Sequence, residues 1–178
     1  MSDVDKAPTQ RLFFTAWPPP LVADQVAERA RVLDLAGRAV PRDKLHLTLA
    51  FHGRCDVGQR LRLIEMADAI VLRPFELVFD RLDCFVRPRI VWLGVSEIPT
   101  TLSELAEKLA GERVDRRGFV PHISVMRDAE PVAARAIEPI VWPVADFALV
   151  ESGAHGQPGG YRTLARWALT HDRAPDMK

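Results

Sequence analysis

Two short segments carry the residues best suited to chemistry: His46-Leu47-Thr48-Leu49 and His122-Ile123-Ser124-Val125. Along a strand, residues i and i+2 project to the same side. His46 therefore projects with Thr48, and His122 with Ser124, while Leu47, Leu49, Ile123 and Val125 turn the other way into apolar packing. If the two strands face one another, the cleft between them holds two imidazoles and two hydroxyls. Cleaving a phosphodiester with water needs a base to activate the nucleophile and an acid to protonate the leaving oxygen. Imidazole, with a pKa near about 6.5, serves either role. Each well-placed proton transfer is worth roughly 10²–10⁴ in rate. The hydroxyls of Thr48 and Ser124 can donate to non-bridging phosphate oxygens. Arg127, at or near the end of the second segment, reaches the same phosphate. No carboxylate cluster or His-x-His spacing marks a metal site, so a reaction without metal or other cofactor is expected. A lone strand histidine is more often a packed structural residue than a catalyst. Two histidines in matched motifs inside a repeat reverse that weighting.

The elements that must position these residues follow from periodicity. Residues 11–17 are a short apolar, aromatic run and read as a strand, ended by Pro18, Pro19 and Pro20. Residues 21–35 have helical spacing, closed by Gly37. Residues 45–52 read as a strand, 61–72 as a helix stopped by Pro74, and 75–85 as a strand. The order then recurs: a strand at 89–95, a helix at 101–110 closed by Gly111, and a strand at 119–127. A short helix at 132–138 and a strand at 144–150 complete it. Strand, helix, His-bearing strand, helix, strand thus occurs twice, and the two histidines are separated by nearly the same distance as Arg11 and Arg89. The repeat units span about 11–86 and 89–151, with a closing strand at 161–170 after a Gly-rich loop (Gly153, Gly156, Gly159, Gly160). One bilobal domain at 11–170, between flexible ends at 1–10 and 171–178, is expected.

Composition sets outer bounds. The chain has 178 residues, 48% of them hydrophobic and 27% charged, which excludes collagen-like, low-complexity and wholly disordered chains. No apolar run approaches a membrane span, and the polar, acidic start lacks a secretory h-region. The net charge is zero, which disfavours a broad, non-specific nucleic-acid binder. Of the 24 basic residues 20 are Arg, the better partner for bidentate phosphate contacts. Two cysteines, Cys55 and Cys84, form no metal-spaced or redox pattern, so reduced thiols in a cytoplasmic protein are the simplest reading.

The two motifs, with their flanks, resemble the 2H phosphoesterase superfamily, and within it the bacterial and archaeal RNA 2′,3′-cyclic phosphodiesterases, historically called 2′-5′ RNA ligases. The resemblance runs from about Arg11 to Leu169 and rests on RLFF-x-A-WPP, LHLTLAFHG, PHISVMR and Tyr161-Arg162-Thr163-Leu164-Ala165-Arg166-Trp167. It implies an α+β fold, bilobal and pseudo-two-fold, with two antiparallel sheets around a central cleft and helices outside. It implies hydrolysis of a 2′,3′-cyclic phosphate on RNA or a nucleotide to a 2′-phosphomonoester. It also implies that His46 is the general acid on the 3′ oxygen and His122 the general base on water; the residues themselves do not orient the pair. Thr48, Ser124 and Arg127 would hold the phosphate, while Phe13 and Tyr161 are candidates for contacting the substrate. A monomer without metal or cofactor and away from membranes is expected. Two departures stand out: Ser124 where the family usually has Thr, and His52 where it usually has Leu. His52 shares strand parity with His46, which directs it to the cleft rim without a catalytic part. Arg113, Arg116 and Arg117 form a basic run that reads as a solvated loop, with RNA steering as the sharper alternative; His155 and His171 receive no role. The rival readings are ligation of cyclic-phosphate ends by the reverse reaction, and a non-catalytic RNA-end or nucleotide binder.

Overall fold

Short runs of alternating apolar and polar residues, rich in Val, Ile, Leu and Phe, make most of this chain a strand former. The computed structural model describes residues 9–34, 36–111, 118–153 and 160–170. Within them lie β1 (Gln10–Ala16), α1 (Pro20–Val32), β2 (Arg38–Ala39), β3 (Leu47–Cys55), α2 (Val57–Asp68), β4 (Phe75–Phe85), β5 (Ile90–Val95), α3 (Thr100–Ala110), β6 (His122–Arg127), β7 (Arg135–Val144), β8 (Asp146–Ser152) and β9 (Tyr161–Ala168). The basic run at Arg113, Arg116 and Arg117, the glycines at 156 and 159, His155, His171 and most of both termini fall outside the described residues.

The architecture is α+β, as the resemblance implies, with one difference in the sheet. All strands join a single antiparallel sheet of order β7-β4-β5-β6-β3-β1-β8-β9, with β2 beside β6. Its two four-stranded halves meet where β3 adjoins β6, and one residue pair, Leu47 with Ile123, carries that seam. The two expected sheets are therefore one sheet pinched at its middle. The half-sheets do not follow chain order. β4 pairs with β5 and β7, so an early strand serves the later half, and β8 pairs with β1 in the other. The helices cross in the same way: α1 follows β1 but packs on β6 and β7, and α3 follows β5 but packs on β3.

The predicted helix at 132–138 is not formed. β7 occupies most of that segment and pairs along β4, burying Ile140, Trp142 and Val144 at alternate positions. A helix that short between Pro131 and Pro139 has little stability of its own, so tertiary pairing decides. Pro139 and Pro143 are tolerated because β7 is an edge strand. The second helix begins at Val57 rather than near residue 61, because Asp56 and Gln59 form a reciprocal capping box there. Gly37 does not close α1, which ends at Val32 with Leu33 as its cap and Asp34 at φ 46. Gly37 has φ +138, and a Cβ there would come within 2.9 Å of Ala129 Cα and Arg127 O, so only glycine fits beside β6. Gly111 does close α3, whose apolar face buries Leu102, Leu105, Ala106 and Leu109.

Candidate active site

The register of the two central strands builds the site. β1 pairs Thr15 with Thr48 and Phe14 with Ala50, which leaves Leu49 as an extra residue. β5 pairs Trp92 with Ser124 and Val91 with Met126, which leaves Val125 extra in the same way. Each motif strand thus carries a β-bulge directly after its hydroxyl residue. A bulge reverses the alternation beyond it. In β6, Ile123, Val125 and Met126 are buried, and Arg127 emerges on the same face as His122 and Ser124. Without the bulge Arg127 would turn away from the histidines.

The same reversal corrects the expectation for His52. Simple parity directs it to the cleft, but the bulge at Leu49 turns it into the core, where it is 5% exposed. Its Nε2 donates to the Leu109 carbonyl at 2.9 Å, at the end of α3, and its ring meets Phe14 edge-on.

The two imidazoles are held alike. His46 follows a short 3-10 turn, Arg42–Lys44, and its Nδ1 lies 2.7 Å from the Lys44 carbonyl. His122 Nδ1 lies 2.7 Å from the Val120 carbonyl. A carbonyl only accepts, so Nδ1 carries the hydrogen in both rings and Nε2 is left as the titrating atom. Aromatic side chains wall both rings. His46 packs against Phe13, Trp17 and Tyr161 at centroid distances of 5.4, 5.5 and 5.3 Å. His122 packs against Phe85 at 5.0 Å and Trp92 at 5.7 Å. Burial within these walls is the main force holding both imidazoles below their ordinary pKa; the carbonyl bonds oppose it, and the Arg127 cation adds to the depression of both. The His122 charge also depresses His46. One guanidinium thus acts on both rings, and the rings act on one another, so the predicted catalytic pair and Arg127 are brought together.

Thr48 and Ser124 sit half-buried on the histidine face of their strands. Phe13 is 4% exposed and supports the His46 ring and Tyr161 from beneath. Tyr161 is half-buried and closes the His46 wall from β9. Trp17, Phe85 and Trp92 were not singled out from the sequence. Only the RLFF-x-A-WPP opening hinted at Trp17, and the partners of His122 come from β4 and β5, which no local pattern links to it. Among the described residues, no group of three or more His, Cys, Asp or Glu side chains stands together as a metal site.

This duplicated arrangement has relatives. The sequence model of the 2′-5′ RNA ligase superfamily matches residues 18–156. The chain belongs to that superfamily. It is 33% identical over 171 residues to an RNA 2′,3′-cyclic phosphodiesterase of Escherichia coli K12, covering 90% of this chain and 97% of that protein. Among solved superfamily structures, E. coli LigT in its apo form superposes with a TM-score of 0.81 at 35% identity, covering 92% of this chain and 99% of that one. LigT complexed with 3′-AMP superposes equally well, at 36% identity and the same coverage. Both motif strands lie inside the matched region, whereas Phe13, Trp17 and Tyr161 of the His46 wall lie outside it.

Proposed function

We propose that this protein hydrolyses 2′,3′-cyclic phosphate ends of RNA or nucleotides to 2′-phosphomonoesters. The observation that carries the reading is the matched pair of imidazoles, each tied through Nδ1 to a backbone carbonyl and both under the influence of Arg127. Relatives named for this activity, and a LigT structure holding 3′-AMP, support the substrate class. In the reaction His122 Nε2 takes a proton from water as its oxygen bonds to phosphorus. The bond from phosphorus to the 3′ oxygen breaks, and His46 Nε2 gives its proton to that oxygen. The products are a 2′-phosphomonoester and a 3′ hydroxyl. Thr48, Ser124 and Arg127 hold the non-bridging oxygens, where charge gathers in the transition state.

Electrostatics fit this division of labour. The acid must be charged while the base is neutral, and mutual repulsion between the rings favours a single shared proton. An anionic phosphate beside Arg127 offsets its charge and raises the imidazole that must act as acid. One chain supplies both imidazoles, so a monomer suffices. The test uses a short RNA with a 2′,3′-cyclic phosphate in excess EDTA. Wild type is expected to form the 2′-phosphate, with His46→Ala and His122→Ala each slower by about 10²–10⁴. Turnover that survives both substitutions, or that vanishes in EDTA, overturns the mechanism.

A further inference from the structure

The pseudo-two-fold relation sets Phe51 of β3 opposite Arg127 of β6 in role: each is the residue that its bulge returns to the histidine face. One half of the site therefore ends in a cation and the other in an aromatic ring. Phe51 is 50% exposed, the one aromatic ring among the exposed large apolar side chains of the described residues. It belongs to a row on that face. Thr15 pairs with Thr48, Phe13 with Phe51 and, past a second register break that leaves His52 as an extra residue, Arg11 with Arg54, so His46, Thr48, Phe51 and Arg54 succeed one another away from the catalytic end. The Arg11 guanidinium lies 4.9 Å from the centroid of the Phe51 ring. Among the described residues neither Arg11 nor Arg54 forms an ion pair with a carboxylate, and the nearby Glu151 is already bound to Arg162 at 2.7 Å. These residues line a hollow of about 480 Å³ with Gln10 and Ser152, within the size range of a small-ligand site.

From this row we infer that β3 and β1 form a track for the nucleotide that precedes the cyclic end, with Phe51 stacking its base and Arg11 and Arg54 holding the phosphate that joins it to the terminal nucleotide. Stacking on an aromatic face tolerates any base, and guanidinium groups without a carboxylate partner suit phosphate. Two residues of strand advance about 7 Å, a step comparable to one extended nucleotide. The preceding nucleotide of such an end thus lies on this chain's own residues, an inference that rests on the phosphodiesterase reading above.

The experiment compares KM for a mononucleoside 2′,3′-cyclic phosphate and for a dinucleotide ending in the same group, in wild type, Phe51→Ala, Phe51→Trp and Arg11→Gln. Wild type is expected to favour the dinucleotide by about tenfold. Phe51→Ala collapses that ratio toward one, Phe51→Trp retains it, and Arg11→Gln lowers its salt dependence by about one phosphate contact. An equal KM for both substrates in wild type, or a ratio that survives Phe51→Ala, overturns the track. Failure of both substrates to turn over would instead sink the phosphodiesterase reading. The track is then decided by calorimetric binding of a dinucleotide 3′-phosphate: loss of affinity in Phe51→Ala supports it, and unchanged affinity overturns it.

Discussion

Each imidazole of the proposed catalytic pair sits in an aromatic wall that lowers its pKa, with one hydrogen bond to fix its tautomer. Burial is the larger influence and Arg127 the shared secondary one, so the two rings move in the same direction. The consequence is a bell-shaped profile of kcat/KM against pH whose limbs both lie on the acid side of the ordinary imidazole value, 6.5. Arg127→Gln removes a cation that disfavours the charged rings, so the limbs move up in pH while the maximum rate falls. Rate measurements across pH 4–9 check both effects. A profile centred above the ordinary imidazole value, or one that Arg127→Gln leaves in place, would contradict this electrostatic account.

At the scale of elements, the bulges decide which side chains meet. A strand alternates strictly, so a site extending beyond two alternate positions on one strand needs a register break to bring in a residue of the wrong parity. The extra residues Leu49 and Val125 do this in both halves. The same break places His52 under α3, where its bond to the Leu109 carbonyl ties β3 to the helix end. His52→Ala strips that buried carbonyl of a partner and leaves space beside Phe14. A loss of about 1–3 kcal/mol in unfolding free energy is expected, read by urea denaturation. Catalysis per folded molecule stays at the wild-type level, since His52 faces away from the cleft. A catalytic defect without a stability loss would place it back in the site.

The whole molecule is two half-sheets that exchange strands and helices and meet along one residue pair. The exchange is physically useful, because α1 and α3 each pack on the half-sheet to which they do not directly connect, so neither half completes its core alone. The site lies at the seam, where burial disfavours the charged form of both imidazoles. The sign of the resulting pH dependence follows. With both pKa values lowered on folding, the unfolded chain binds more protons between the folded values and 6.5. Stability is therefore full above 6.5 and declines as pH falls through that window. Asp24 and Glu28, whose pKa values are also lowered, add losses only further down, below their ordinary 3.8 and 4.5. Thermal melts between about pH 5 and 7 are expected to show the decline. A His46→Asn, His122→Asn double variant should flatten it, and an unchanged slope in that variant would mean the imidazoles do not carry it.

Residue type and local spacing determined a good deal of this protein by themselves. Apolar runs marked β1 and β5, alternation marked β4, and the leucine spacing of α3 marked its buried face. The two matched motifs marked the chemistry, because imidazole and hydroxyl at i and i+2 share a face in any strand. What lay beyond local periodicity was decided by the tertiary structure. The segment that became β7 has a helical composition but is claimed by the free edge of β4. His52 and Arg127 are sorted by bulges, and a bulge exists only when a partner strand sets the register. The walls around His122 come from β4 and β5, and the joining of two half-sheets through Leu47 and Ile123 depends on how both halves pack. Periodicity reports the faces of one element; which faces meet depends on contacts far apart in the chain, and those form only when the whole core does.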